Sequence, residues 1–358
     1  MEFIKAGVNI DFIGKRKIAF TFSVAMIIAT IFFLLWRGGP NYGVDFSGGV
    51  LIQVKLEKKH TPSDIRETLT ALQLEDSIIQ EFGEEGQFEY LIRVRRTDIK
   101  LTGLSDGVKQ ALISRFGEEV EIRRVEMVGP KVGKDLRQKA LFAIFYAILF
   151  IAIYISGRFE LKWMMSILMA LSLSFVVYIT SGIGVSITWL ILIALLVTLV
   201  LCWFLRLKYA MGAIVALIHD VIITVGAFAL TNREISLSII AAFLTIVGYS
   251  LNDTIVIFDR IRENLRRFRK QSFEEVMNHS INETLSRTIL TSTTTLIVVI
   301  ALFILGGSVI HDFAFAILIG ILVGTYSSIF VASPILLVWD SKFVQSVKAK
   351  KAPVSKGG

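Results

Sequence analysis

The sequence predicts a polytopic α-helical membrane protein with about eight transmembrane helices and one external α+β domain. Of the 358 residues, 54% are hydrophobic and 19% are charged, and the mean hydropathy is +0.67. The apolar residues are gathered in long runs, and one bilayer crossing needs about 20 apolar residues. A segment of about 100 residues near the N-terminus instead mixes polar and apolar residues, which is typical of a folded soluble domain.

The first apolar run covers residues 18–36 and follows Lys15, Arg16 and Lys17. No small-residue cleavage pattern precedes Arg37, so this run is predicted to be an uncleaved signal anchor behind a cytoplasmic N-terminus of residues 1–17. Further runs cover residues 140–157, 163–182, 187–205, 210–230, 235–258, 288–306 and 313–339. A transmembrane bundle is therefore expected over residues 138–339, followed by a basic cytoplasmic tail at 340–358.

The distribution of basic residues predicts that both termini are cytoplasmic. Sixteen of the 38 Lys and Arg residues lie in residues 37–137, a segment too long to influence orientation. Most of the others lie at the N-terminus, in alternate loops and in the C-terminal tail. An even number of crossings then places residues 37–137 outside, which in a bacterium is the periplasm. The net charge of +8 has the same origin, so no nucleic-acid partner is expected.

The segment 37–137 shows the periodicity of six elements. Strands are predicted at 50–56, 77–83, 89–96 and 120–127, and helices at 62–72 and 105–116. Thr61, Pro62 and Asp64 form a helix start, because threonine caps, proline needs no amide partner and the acid favours the positive helix end. The order βαββαβ predicts a ferredoxin-like sandwich, a fold that does not by itself name a ligand.

The sequence also disfavours several other kinds of functional site. The single cysteine, Cys202, lies in an apolar run and is expected to be a small core residue. Residues 129–135 resemble a phosphate loop, but the glycine spacing is one residue short and Asp135 replaces the hydroxyl that would hold magnesium. His219 beside Asp220 suggests a metal or proton shuttle, yet adjacent helical positions point about 100° apart and no second ligand pair is visible. No metal, cofactor or enzymatic centre is expected.

Charged residues inside the spans are the candidate functional residues, since each costs roughly 2.5–3.5 kcal/mol on insertion scales. Asp220 lies near the middle of its span, Asp253 in the inner half of the next, and Arg287 opens the span 288–306. The spacing places Asp253 on one helix face with Tyr249 and Ser250, and Arg287 on another with Thr291, Thr294 and Thr295. Such faces can pair, with Asn252 among the supporting polar residues, and an aspartate that alternates between a proton and an arginine is a workable proton switch.

A static interpretation stands beside this one: Arg287 as an edge anchor, Asp253 as an ion-pair partner, and hydroxyls that bond helix carbonyls. The cytoplasmic segment 259–284 is rich in arginine and predicts an amphipathic, interfacial helix pair, with Ser272 and Glu275 as a capping box. Its arginines suit contact with anionic membrane lipid or with a cytoplasmic partner.

Four stretches resemble the SecD/SecF family of bacterial protein-export subunits. They are GVDFSGG at 43–49, VGPKVG at 128–133, VGYSLNDTIVIFDRIREN at 247–264 and ETLSRTILTSTTTL at 283–296. The matching motif residues are Gly43, Asp45, Phe46, Gly48, Gly49, Gly248, Asp259, Arg260, Arg262 and Asn264. The resemblance implies an RND-like, proton-driven accessory of the Sec channel in the bacterial inner membrane, with proton passage at Asp253 and Arg287 and an external domain that handles emerging preprotein.

The resemblance also implies partners: SecD, the SecYEG channel, YajC and YidC, and the unfolded preprotein as substrate. Protons would be the coupling ion. One departure is an apparent extra helical hairpin at 163–205, since six spans are usual in the family; it carries no buried charge, which favours a peripheral packing role. Two alternatives stay open, a stand-alone exporter of small molecules or lipids and a structural scaffold that uses no energy.

Overall fold

The computed structural model describes residues 8–74, 77–82, 86–94, 103–161, 163–181 and 187–338. The predicted tail at 340–358, the start of the N-terminal segment and the turn near Gly182 lie outside these residues. Two parts make up the described chain, a helical bundle and a small α/β domain joined to one end of it.

The bundle is built from long apolar helices. Their bounds are α1 Arg16–Trp36, α5 Pro130–Glu160, α6 Trp163–Ser181, α7 Ile187–Phe204, α8 Lys208–Thr231, α9 Leu237–Arg267, α10 Phe273–Leu305 and α11 Gly307–Ser327. A π-helical turn, Ser328–Ala332, follows α11, and the chain stays helical to residue 338. Each predicted apolar run therefore coincides with a helix, and the prediction of a polytopic helical membrane protein is confirmed.

Six of the described helices are long and apolar enough to cross a membrane; α6 and α7 contain shorter apolar segments, at 163–176 and 191–204. These two form the predicted extra hairpin and pack on α5 and α8. Met169, Leu173, Ala194 and Cys202 are buried in the same core as α5 and α8. The hairpin thus packs on one side of the bundle, in agreement with the predicted packing role. Cys202 is a buried core residue as expected, and the count of eight crossings stays a prediction.

The α/β domain contains β1 Gly49–Lys55, α3 Pro62–Thr70, β2 Ile78–Phe82, β3 Glu89–Val94, α4 Leu104–Phe116 and β4 Glu121–Val128. Its sheet has the order β2-β3-β1-β4 with antiparallel neighbours throughout. This is the ferredoxin-like arrangement of a βαββαβ chain, so the predicted fold class is confirmed. Helices α3 and α4 cover one sheet face, where Val50, Ile52 and Val54 of β1 meet helix residues such as Ile65 and Val108.

The predicted helix starts are present as reciprocal caps. Thr61 Oγ1 accepts from the Asp64 amide at 3.2 Å, and Asp64 Oδ2 accepts from the Thr61 amide at 3.1 Å. The Thr61 hydroxyl and the Thr61 amide both donate to Asp64 Oδ2, and because these two bonds stabilise the carboxylate they hold the pKa of Asp64 below its usual value. Ser272 and Glu275 cap α10 in the same way.

Two predicted boundaries differ from the structure. Helix α5 begins at Pro130 rather than near residue 138, so the stretch that resembled a phosphate loop is the first turn of a long helix. The segment 259–284 is not a separate interfacial element: α9 continues to Arg267 and α10 begins at Phe273. Hydrophobic residues such as Ile261, Val276 and Met277 continue the buried face beyond the apolar runs, which explains the longer helices.

Candidate functional site

Asp253 is buried on α9 without a hydrogen-bond partner for one of its oxygens. Asp253 is only 4% exposed. Within the described part of the chain, Oδ2 accepts no hydrogen bond. A buried carboxylate that is neither paired nor hydrogen-bonded is costly, and binding a proton removes that cost. Asp253 therefore has the environment that a proton-binding carboxyl needs.

Arg287 of α10 does not close an ion pair with Asp253. The arginine lies on an exposed face of the isolated chain, near enough for its positive charge to act on Asp253. Among the described residues, no ion pair within 4.0 Å joins the two. The expected direct pairing is thus absent in this conformation, and Arg287 can approach Asp253 only if side chains or helices move.

The predicted polar faces of α9 and α10 meet at one point. Tyr249 donates from its hydroxyl to Thr295 Oγ1 at 3.4 Å. Thr291 and Thr294 instead bond carbonyls of their own helix, which is the static role considered for these hydroxyls. Asn252 is exposed and points away from the buried face of Asp253, so its expected place in that face is not observed.

Asp220 on α8 is at the centre of a buried hydrogen-bond cluster. Its Oδ2 accepts from Ser250 of α9 at 2.6 Å and from Ser327 of α11 at 2.8 Å. Its Oδ1 lies 2.9 Å from Nδ1 of His219. The two neighbouring positions diverge on the helix as expected, but the longer imidazole still brings its Nδ1 within reach of the carboxyl. Ser250, which was predicted to share a helix face with Asp253, thus also bonds the carboxyl of Asp220.

The family-like residues after Asp253 form a polar network at the end of the bundle far from the α/β domain. Asp259 pairs with Arg158 of α5 at 2.6 Å, and Arg262 donates to the Arg158 carbonyl. Arg260 lies 3.6 Å from Glu283 of α10. Asn264 is buried and donates to Ser280 Oγ at 3.1 Å and to Glu283 Oε2 at 2.6 Å.

This network fixes the end of α9 to α5 and α10. These motif residues therefore hold helix ends together. Gly248 differs from them: a Cβ there would meet nothing within 4 Å, so packing gives no reason for its glycine.

The segment 43–49 joins the α/β domain to the start of α9. It contains a short helix, α2 Val44–Ser47, whose Asp45 Oδ2 accepts from the Leu237 amide at 2.8 Å. This carboxylate caps the helix that carries Asp253. The Gly43 amide donates to the Ile235 carbonyl at 3.0 Å, and Phe46 is buried beside Ile235 and Ile239.

The glycines of this segment allow close backbone contact with the first turn of α5. Gly48 has φ +72°, and a Cβ there would lie 2.9 Å from the Pro130 Cα. A Cβ at Gly133 would lie 3.0 Å from the Gly48 amide nitrogen. Gly49 is the first residue of β1. The segment therefore connects β1, α5 and α9 at one point.

Sequence reasoning missed a second connection between the domain and the bundle. Arg93 of β3 is 2% exposed and pairs with Glu234 in the connection between α8 and α9. It also donates to the Asn41 side chain and the Tyr42 carbonyl, both at 3.3 Å. The residue before Glu234, Arg233, pairs with Asp312 of α11. In sequence, an arginine within an alternating strand gave no signal of burial.

A cleft of about 770 Å³ separates the helix-free face of the sheet from this end of the bundle. The sheet contributes Leu51, Gln53, Leu91 and Arg124, and the bundle contributes residues around Ser236 and Asp312. No group of three or more His, Cys, Asp or Glu residues suited to a metal occurs in the part of the chain that the structure describes.

Buried carboxylates lie in the membrane-spanning bundle, and a ferredoxin-like domain is hydrogen-bonded to the start of the helix that carries one of them. These features define the class as a polytopic membrane protein with one attached α/β domain. The family model for the C-terminal part of SecD/SecF protein export membrane proteins matches residues 108–199 and 181–342, and the SecD/SecF GG motif matches residues 33–59. The chain belongs to the SecD/SecF family.

Relatives of this family match over nearly the whole chain. A protein translocase subunit SecF from Vibrio alginolyticus is 42% identical over 94% of this chain and 91% of its own length. The SecF subunit of Magnetococcus marinus is 41% identical, with 98% of each chain covered. The crystal structure of SecDF, a translocon-associated membrane protein from Thermus thermophilus, superposes with a TM-score of 0.70 at 29% identity. That match covers 94% of this chain and 39% of the SecDF chain.

Proposed function

We propose that this chain works with a SecD partner to use the proton motive force for protein export across the bacterial cytoplasmic membrane. The observation that carries the proposal is Asp253, a buried carboxyl with an unbonded oxygen inside a span and a basic residue, Arg287, near it. Proton binding neutralises Asp253, and proton release restores a charge that attracts Arg287. The two states favour different separations of α9 and α10.

The connection to the α/β domain supports a mechanical output. Asp45 caps α9, and residues 43–49 contact the first turn of α5, so a shift of α9 displaces the base of the domain. With both termini cytoplasmic, the domain and its cleft lie in the periplasm, where preprotein emerges from the SecYEG channel. One proton crossing 100 mV supplies about 2.3 kcal/mol, which shifts an equilibrium about 50-fold.

Exposed polar residues support assembly with SecD. Asn252, Arg287 and Thr294 are exposed in the single chain although they lie in membrane helices. Polar side chains facing lipid are unfavourable, so a second membrane subunit is the expected neighbour for them. YajC, YidC and anionic lipid at the basic cytoplasmic end are further expected contacts of the assembled complex.

The test replaces Asp253 by Asn, which keeps the shape of the side chain and removes the titration. In membrane vesicles that contain the SecD partner, Asp253→Asn is expected to assemble normally and to abolish export that depends on the proton motive force. Asp135→Asn is the matched control, since it removes an exposed carboxylate on α5 that pairs with Lys139. Full export by a well-assembled Asp253→Asn complex would reject the proposal and favour an unenergised scaffold.

The stand-alone exporter predicts a different result. This chain alone, purified and reconstituted into vesicles, would then move a small molecule or lipid without SecD or the channel. We expect no such transport, because the proposed work is done by the external domain on a polypeptide.

A further inference from the structure

A buried chain of hydrogen bonds runs from α8 to α1 and α11 in the middle of the bundle. His219 Nε2 lies 3.1 Å from Ser23 Oγ of α1, and Ser23 Oγ lies 3.1 Å from the hydroxyl of Tyr326 on α11. Tyr326 in turn donates to the Ala19 carbonyl at 2.7 Å. Five members of this chain, Ser23, His219, Asp220, Ser250 and Ser327, are each at most 4% exposed, so they lie away from bulk solvent.

The donor and the acceptor in each of these hydrogen bonds follow from which atoms carry a hydrogen. The Ala19 carbonyl can only accept, so it takes the single hydroxyl proton of Tyr326. Ser23 must then donate its own proton to the Tyr326 oxygen. The Ser23 oxygen is left as the acceptor for His219, which must carry a proton on Nε2. This is the assignment in which all three contacts are hydrogen bonds.

The assignment leaves one proton for the contact between His219 Nδ1 and Asp220 Oδ1. Either Asp220 is protonated and donates to a neutral imidazole, or the carboxylate accepts from an imidazolium. Moving that proton breaks the Oδ1–H bond and forms the Nδ1–H bond, and the charge of the pair stays zero. Two serine hydroxyls donate to Oδ2 and suit the carboxylate form.

We propose that His219 and Asp220 share one proton and form a second proton-holding site, next to Asp253 on the proton route through the bundle. Ser250 joins the two sites, because it donates to Asp220 and lies three residues before Asp253 on the buried face of α9. The titratable group that packs against the pair from another helix is Tyr326 of α11, whose ring stacks on His219; α9 contributes the hydroxyl of Ser250 and α1 that of Ser23. A π-helical turn starts directly after Ser327, and such turns are frequent at functional sites.

The role in a proton route rests on the proposed function, but the shared proton does not, and nitrogen NMR tests it separately. The unmodified protein in lipid, labelled with ¹⁵N-histidine, gives signals from four histidines, and His219→Gln identifies that of His219. Removal of His60, His279 and His311 identifies it by elimination if His219→Gln does not fold. We expect a proton on Nε2, with the shared proton on the Nδ1 side of the ring. A neutral ring protonated on Nδ1 and bare at Nε2 would overturn the assignment.

Proton uptake tests the place of the pair in the route. In vesicles with the SecD partner and an applied potential, Asp220→Asn is expected to lower proton flux at least tenfold. Thr224→Val is the matched control: Thr224 is buried one turn further along α8 and bonds only a helix carbonyl. Equal flux in these two variants would make the pair a static support and reject the proposal. Unchanged flux in Asp253→Asn would instead reject the proposed function and leave the NMR result standing.

Discussion

Replacement of Gly48 by Ala tests the contact between the α/β domain and the bundle. Gly48 has φ +72° and ψ 165°, a conformation essentially limited to glycine, and its occupation by alanine costs about 1–3 kcal/mol. The new Cβ would also lie 2.9 Å from the Pro130 Cα and 3.3 Å from the Val128 carbonyl oxygen. These are backbone atoms that cannot rotate away, and overpacking of this kind costs about 1–3 kcal/mol more. The total is about 2–6 kcal/mol, concentrated where residues 43–49 contact α5.

Amide hydrogen exchange of the full chain in detergent measures this loss locally. In Gly48→Ala, peptides covering residues 43–50 and 129–137 are expected to exchange at least about 30-fold faster, which corresponds to about 2 kcal/mol. Gly117→Ala is the matched control, because Gly117 has φ +67° but no atom within 4 Å of its Cβ. This variant is expected to lower stability by about 1–2 kcal/mol and to speed exchange only near the end of α4. If both peptides of Gly48→Ala exchanged at the rate of the parent protein, the close contact between residues 43–49 and α5 would be refuted.

Three further variants test other contacts. Arg93→Met leaves Glu234 without its buried partner and is expected to lower the free energy of unfolding by up to about 3–5 kcal/mol, measured by thermal unfolding. The double variant Arg93→Met/Glu234→Met should recover most of this stability; an equal loss in the single and double variants would contradict the ion pair. Asn264→Ala removes both donors to Ser280 and Glu283, about 1–3 kcal/mol, and should speed proteolysis between α9 and α10; an unchanged rate would argue against that role. Thr61→Ala should raise the lowered pKa of Asp64 toward 3.8 in a carboxyl NMR titration. In the parent protein, the stabilisation by this cap is complete above pH 3.8 and is lost as the pH falls through the lowered pKa. An unchanged titration midpoint in the variant would show that Thr61 does not cause the lowered pKa.

Local signals in the sequence predicted the α/β domain and the helices of the bundle. The βαββαβ order follows from alternating and helical periodicity, and Thr61 and Ser272 mark helix starts by chemistry that involves residues three apart. The apolar runs predicted the helices of the bundle, although their ends were placed too early or too late. Amphipathic segments such as 259–267 continue a helix beyond its apolar part, and a hydropathy run does not detect this continuation.

Contacts between distant segments could not be predicted in this way. The sequence identified Asp220, Asp253 and Arg287 as candidates because charge in a span is costly, but not which of them meet. His219 was discounted from the divergence of neighbouring Cβ atoms, yet a flexible imidazole reaches the next side chain. Nothing near Arg93 or Glu234 indicates that a strand and an interhelical connection pair across 141 positions, since that depends on how the domain docks.

The junction between β4 and α5 has a consequence for how far a small tilt can carry. Strand β4 ends at Val128 and α5 starts at Pro130, so Gly129 alone separates the sheet from a helix of 31 residues. A helix of that length is about 46 Å long at 1.5 Å per residue. A tilt of such a helix by roughly 10° about its Glu160 end would displace its Pro130 end by about 8 Å, given this length. Because the link between them is a single residue, such a tilt would carry the edge strand β4 with the helix, and the sheet would move by a comparable distance.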